Sequence, residues 1–166
     1  MLIELEGNQS GDLHYVTARH IDSVTRDDIP AWMNTHGLPT ASIDTGVSPL
    51  PWISRPEKVK DISKHFDANP TQKFVLFGDN SHTDPGVYTD IIAKYPGRVQ
   101  AAFIHRVKNK DVTLAPNMHI ITNYVEAAKI LFDKGVLDAA AARKVMVAAQ
   151  VQGVQVTDAE IDVLLS

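Results

Sequence analysis

The chain has 166 residues, of which 44% are hydrophobic and 22% charged, the balance of a single ordinary globular domain. Its net charge of −4 argues against wholesale binding to nucleic acid or to an anionic membrane, and no apolar run approaches the ~20 residues that a membrane-spanning helix needs. It contains no cysteine, which excludes disulfides, thiol nucleophiles and thiolate zinc sites. The first residues turn acidic at once, unlike a signal peptide, so a cytoplasmic location is expected.

In the first half of the chain, apolar runs of strand length alternate with helical stretches. Residues 13–18 predict a buried strand, residues 23–36 a helix that stops at Gly37, and residues 41–43 a short strand. A further helix is predicted over residues 57–66, opened by Pro56 at its first position.

The pattern of the second half predicts three more strands and three more helices. The strands are expected over residues 73–77, 99–104 and 118–122, and the helices over residues 85–94, 123–134 and 138–152. Thr157 with Glu160 fits a capping box for a last short helix. The alternation predicts an α/β domain over residues 1–136, with a parallel sheet between helices, and a helical hairpin over residues 137–166.

Two isolated polar residues are candidates for binding a phosphate. Thr17 closes the first strand, where a hydroxyl can hydrogen-bond a phosphoryl oxygen or simply cap the next turn. Lys58 lies near the start of the predicted helix 57–66, where its charge opposes the helix dipole. It can therefore serve to neutralise an anion, or it can be an ordinary surface lysine.

The turn after the strand 73–77 holds two carboxylates five residues apart. Asp79 follows Gly78 at the strand tip, and Asp84 precedes the helix 85–94. Such a pair can hold a hard cation such as Mg²⁺, or it can form an Asx turn and a helix N-cap.

Taken together, these features resemble motifs two, three and four of the haloacid-dehalogenase (HAD) superfamily of phosphohydrolases. The finer resemblance is to the phosphatidate-phosphatase domain of actin-patch-associated proteins, over about residues 12–136, and it is most specific over residues 74–99. It implies a Rossmann-type three-layer sheet, with Thr17 and Lys58 binding phosphate, and Asp79 and Asp84 binding or supporting Mg²⁺. The sequence departs from the family's usual residues at Asn80-Ser81-His82, Gly86 and His105.

The largest departure is the absence of the D-x-D-x-T strand that carries the superfamily's nucleophile and general acid–base. No Asp in the chain has another Asp two positions later, and Asp27-Asp28 and Asp44-Thr45 have the wrong spacing and lie in predicted helix and loop. The resemblance places the absent strand between the Thr17 strand and the Gly78-Asp79 strand, so both are expected to have an open edge. Three explanations of the absent strand stay open. The chain is part of a longer enzyme, or its remaining strands pair directly and close the gap, or its open edges pair with another chain.

Two main functions follow from the sequence. The first is a Mg²⁺-dependent phosphatase acting on a phosphomonoester, such as a phosphorylated small molecule or lipid headgroup, and inactive as this chain alone. The alternative is a non-catalytic module that binds a phosphorylated ligand or a protein. A purely structural module is a third. A homo-oligomer is expected, because of the open strand edges and apolar hairpin residues such as Val145, Ala148, Val151, Ile161 and Leu165.

Overall fold

The structure, a computed structural model, describes residues 13–20, 22, 29–35 and 42–166. The described ranges contain five strands and six helices, which confirms the predicted α/β class. In chain order these are β1 (His14–Thr17), α1 (Ile29–Thr35), β2 (Ser42–Thr45), α2 (Pro51–Ala68), β3 (Phe74–Asp79), α3 (Asp84–Lys94), β4 (Val99–His105), β5 (Met118–Ile121), α4 (Tyr124–Asp133), α5 (Ala139–Val151) and α6 (Asp158–Leu164). No helix in these ranges is long and apolar enough to cross a membrane.

The five strands form two parallel sheets that do not join. One sheet has β1 beside β2, with Thr17 opposite Thr45, and the other has the order β3-β4-β5. Direct pairing of the Thr17 strand with the Gly78-Asp79 strand was one explanation for the missing motif. Among the described residues β1 and β3 do not pair, so that explanation is wrong.

The three-stranded sheet lies between two layers of helices. Phe66 of α2 and Ile91 of α3 pack on one face, and Leu131 of α4 and Ala142 of α5 on the other. The central strand β4 is almost completely buried, whereas every residue of β3 keeps partial exposure. A parallel strand covered on both faces is normally buried, so β3 is a strand with one side left open.

Helix α2 begins earlier than the sequence predicted. It starts at Pro51 and contains Pro56 in its second turn, where the prediction had placed Pro56 at the helix start. Pro51 accounts for the difference. Its fixed φ suits the first helical position, where a backbone N–H would have no acceptor within the helix, so the lack of an N–H in proline costs nothing there. Lys58 therefore lies in the third turn of α2, and the argument from the helix dipole at the first turn was wrong.

Two predictions near the N-terminus are revised. The short strand expected over residues 41–43 is β2, Ser42–Thr45, so Asp44 lies in a strand and not in a loop. Of the helix predicted over residues 23–36, Ile29–Thr35 is helical, while residues 23–28, 36 and Gly37 lie outside the described residues.

The C-terminal hairpin packs against α4 of its own chain. Val145 and Ile161 are buried with Val125 and Ala128, and the predicted capping box of Thr157 and Glu160 is present. The expectation that the sheet domain leaves these apolar positions uncovered is therefore wrong for Val145 and Ile161. Ala148 and Val151 are exposed, and the homo-oligomer stays a prediction.

We predict that Ile161→Ala loosens this hairpin. Ile161 is fully buried, so its truncation removes apolar burial and leaves a cavity, at a cost of about 2–4 kcal/mol in the free energy of unfolding. Val163→Ala, on the same helix and 75% exposed, is the matched control and is expected to cost under about 0.5 kcal/mol. Urea denaturation followed by circular dichroism measures both, and equal losses would contradict the packing described here.

Candidate active site at the carboxyl end of the third strand

Lys58, Asp84 and Asp79 lie together where α2, α3 and β3 meet. The Lys58 Nζ donates to Asp84 Oδ1 at 2.6 Å, and the backbone N–H of Asp79 donates to Asp84 Oδ2 at 3.1 Å. Both oxygens of Asp84 are therefore engaged, one by a charge and one by the backbone at the strand tip. Of the four candidate residues, Lys58, Asp79 and Asp84 are thus brought together, because Asp84 bonds to both of the others.

The Lys58–Asp84 ion pair is largely removed from solvent. The two side chains keep only 14% and 15% of their exposure, so water screens their attraction far less than at a free surface. Loss of one partner would leave a poorly solvated charge behind, which is costly. Lys58 is therefore held in one place, with its ammonium facing the end of β3.

Asp79 is held as a carboxylate by the turn that follows it. Burial by itself raises the pKa of Asp79, but hydrogen bonds from the Ser81 hydroxyl and backbone N–H, with the charges of His82 and Lys58, outweigh it and lower the pKa below 3.8. Ser81 N lies 2.6 Å from Asp79 Oδ1. The resulting contribution to stability is complete above pH 3.8 and is lost as the pH falls through the lowered value.

Gly78 leaves the space that this arrangement needs. A β-carbon at this position would lie 2.5 Å from Asp84 Oδ2 and 2.7 Å from the Tyr88 hydroxyl oxygen. The Tyr88 hydroxyl donates to the Phe77 carbonyl at 2.6 Å. Burial and the carboxylates of Asp84 and Asp79 raise the pKa of Tyr88 well above its ordinary value, so Tyr88 stays a neutral donor.

Thr17 is not bonded to the other three residues within the described ranges. Its hydroxyl accepts from the backbone N–H of Arg19 at 3.2 Å, a local turn contact at the end of β1. Thr17 and Asp79 end the two strands that border the gap between the sheets. The role of Thr17 in phosphate binding therefore stays a prediction.

A cavity of about 380 Å³ separates β1 from β3 and reaches the site. Its walls include residues 13–16 on one side and residues 72–77 on the other, with Lys58, Asp84 and Tyr88 also lining it. Tyr15 of β1 and Val75 and Phe77 of β3 all line this cavity. No residue of the hairpin 137–166 is among its described walls, so the hairpin does not seal the gap.

The donor set near Asp79 suits a weakly held hard cation. Among the described residues no cluster of three or more His, Asp or Glu side chains could hold a metal. Among the described residues, none donates a hydrogen bond to Asp79 Oδ2. Both Asp84 oxygens, by contrast, already accept hydrogen bonds. Mg²⁺ needs only one or two protein carboxylates beside water and a substrate phosphate, so the residues fit it, with Asp79 as ligand and Asp84 as support.

Asn80, noted in the sequence only as a departure from the family's usual residues, holds two loops of the site together. Its side chain is buried, with Oδ1 accepting from the backbone N–H groups of Val107 and Lys108 at 2.8 Å and Nδ2 donating to the Lys108 carbonyl at 2.6 Å. It therefore clamps the loop after β4 to the turn after β3. The sequence signal is an amide next to the strand-end Asp, which can donate and accept at once.

A second polar cluster, also not foreseen, ties the small sheet to α2. His65 Nε2 lies 2.6 Å from Asp44 Oδ2, and the ring of His65 stacks on His14 with centroids 3.8 Å apart. His14 Nδ1 lies 2.8 Å from Ser42 Oγ. These contacts hold β1 and β2 against the helix that carries Lys58.

One comparison with known proteins found a match. The model of the family described as phosphatidate phosphatase APP1, catalytic domain, matches residues 11–106, more than half of the chain. That range contains Thr17, Lys58, Asp79 and Asp84. Searches of the curated proteins and of the solved structures found no match.

We predict that Gly78→Ala disrupts the site. The added methyl group must displace the Asp84 carboxylate or the Tyr88 hydroxyl, at about 1–3 kcal/mol in the free energy of unfolding. Gly86→Ala is the control, because its β-carbon would meet only the movable end of Arg55, at 2.9 Å. Thermal denaturation of both variants checks this, and a Gly78→Ala protein as stable as Gly86→Ala would contradict the close approach.

Proposed function

Because this chain belongs to the family of phosphatidate phosphatase APP1 catalytic domains, we propose that it serves in the hydrolysis of a phosphomonoester, with a phosphatidate-type lipid as its substrate class. The observation that carries the proposal is the Lys58–Asp84–Asp79 arrangement inside the matched range. A buried cation beside an acidic strand tip, in the wall of a cavity, is what binding a phosphate group with a divalent cation requires.

In this proposal Lys58 is the residue that meets the phosphate. Its ammonium has three donors and Asp84 occupies one of them, so the others can reach a phosphoryl oxygen at the cavity. Asp84 fixes the position of the Lys58 ammonium, so that the ammonium is already in place when an anion binds. Thr17, at the end of β1 across the cavity, would donate its hydroxyl to the same phosphate.

Asp79 would hold the Mg²⁺. A bound divalent cation would supply charge stabilisation to the phosphoryl oxygens. The hydrogen bonds from Ser81 keep Asp79 ionised at neutral pH and leave Oδ2 available. Asp84 would support Asp79 through the backbone N–H that it accepts.

In this proposal the described residues do not supply the nucleophile. Asp84 is the one carboxylate among the described walls of the cavity, and it is committed to Lys58. We propose that turnover needs an acidic strand inserted between β1 and β3, as the resemblance to the HAD superfamily implies, and that this chain alone is inactive. The open side of β3 and the cavity between the sheets support this.

A non-catalytic role is the second candidate. The sequence has no Asp with another Asp two positions later, which removes the superfamily's nucleophile but not the phosphate-binding residues. On that account the chain binds a phosphorylated ligand and releases it unchanged. Both candidates require the phosphate site, and they differ in whether an added acidic strand brings hydrolysis.

We predict that Lys58→Gln weakens the binding of orthophosphate in the presence of Mg²⁺ by about tenfold or more, because a charged hydrogen bond is lost. Isothermal calorimetry measures the affinity. Lys60→Gln, an exposed position on the same helix, is the matched control and should bind like the unmodified chain. The double variant Lys58→Gln/Asp84→Asn avoids a lone buried charge and keeps the test valid if the single variant unfolds.

Release of phosphate from dioctanoyl phosphatidate completes the test. The unmodified chain with Mg²⁺ is expected to give almost no turnover. Turnover by the chain alone would overturn the missing-nucleophile part of the proposal. Equal phosphate binding by Lys58→Gln and Lys60→Gln would overturn the site itself.

A further inference from the structure

Exposed apolar side chains follow two of the parallel strands, β2 and β4. They follow the carboxyl ends of parallel strands: Trp52 is 72% exposed at the start of α2, after β2, and Val107 is 54% exposed directly after β4. Val47 and Leu50, between β2 and α2, are exposed as well. A large exposed indole is unusual on a soluble surface and points to a binding face.

Basic side chains lie next to these apolar ones. The segment 106–111 carries Arg106, Lys108 and Lys110 against the single acid Asp111, and all of its residues are exposed. The whole chain is acidic, so this segment is a local concentration of positive charge. We call Val47, Leu50, Trp52, Val107, Lys108 and Lys110 the site rim.

The rim contacts the turn between Asp79 and Asp84, which joins β3 to α3. Trp52, Lys110 and His82 line one open groove, and His82 belongs to the turn between Asp79 and Asp84. The Lys108 Nζ donates to the Ser81 carbonyl at 3.0 Å. Asn80 holds the backbone of residues 107–108 against the same turn. The rim therefore has a fixed place beside the site.

We propose that the site rim docks this domain on a lipid surface that contains anionic lipids. This rests on the proposed function, since a phosphatidate-type substrate lies in such a surface. Trp and Val side chains enter the interface between headgroups and acyl chains, while Lys side chains pair with anionic headgroups. Docking through this face places the turn between Asp79 and Asp84, with Lys58 bonded to Asp84, beside the lipid headgroups.

Charge distinguishes the rim from the exposed valines of the hairpin. Val151 and Val163 are also exposed, but the last helix of the hairpin carries the acids Asp158, Glu160 and Asp162. The hairpin has more acidic than basic residues, so an anionic surface attracts it less than it attracts the rim. The hairpin therefore supplies a control lysine, Lys144, that lies outside the rim.

Vesicle cosedimentation with the full chain tests the charged part of the rim. We expect binding to phosphatidylcholine vesicles that contain phosphatidylglycerol, weakening with salt, and no binding to phosphatidylcholine alone. Lys108→Gln/Lys110→Gln should weaken binding by about fivefold or more, since each lysine near an anionic surface contributes. Lys144→Gln, exposed on α5, is the control and should bind normally. Binding to phosphatidylcholine alone, or equal effects of both changes, would overturn the proposal.

The two tryptophans of the chain allow a second, independent readout. In Trp32→Phe the fluorescence reports Trp52 alone, and its emission is expected to shift to the blue when anionic vesicles are added. In Trp52→Phe no shift is expected. A shift seen only for Trp32 would overturn the rim as the docking face.

Failure of docking and failure of the proposed function give different results. Phosphatidylglycerol is a phosphodiester and not a phosphatase substrate, so binding to it reports the rim and not the site. The Lys58→Gln variant should bind these vesicles normally and should bind orthophosphate more weakly than the unmodified chain does. Orthophosphate binding without vesicle binding overturns docking alone, and vesicle binding without orthophosphate binding overturns the phosphate site alone.

Discussion

The ion pair between Lys58 and Asp84 is the interaction on which this site depends. Asp84 opens α3 and reaches Lys58 of α2 with one oxygen and the backbone of Asp79 with the other. Two helices and one strand tip are thus fixed by one carboxylate. Because both charged side chains are mostly buried, neither can change its partner freely, and under the proposed function an arriving phosphate would meet a cation that is already placed.

The gap between the two sheets is the second constraint. Within the described ranges β4 has strand partners on both sides and is buried, whereas β3 has one partner and faces a cavity of about 380 Å³. Lys58 and Asp84 of the proposed phosphate site line that cavity. The gap accounts for the partial exposure of β3, and it is where the proposed function places an additional acidic strand.

The sequence predicted the parts of this structure that depend on local pattern. The strands of the second half, the helix α4 and the capping box at Thr157 follow from apolar periodicity and cap chemistry. It misplaced the start of α2, because two prolines compete for the first helical position. It also missed the role of Asn80 and the packing of Ile161, since both depend on partners distant in the chain. Long-range contacts of this kind leave no periodic signal.

The most direct test of the account is where an oxyanion binds. A crystal of the chain grown with Mg²⁺ and soaked in tungstate, a phosphate mimic with strong anomalous scattering, locates it without ambiguity. We predict tungstate within hydrogen-bond distance, about 3 Å, of the Lys58 Nζ, close to Asp79. Tungstate bound only elsewhere, with the Lys58–Asp84 pair intact and no density beside it, would contradict the account.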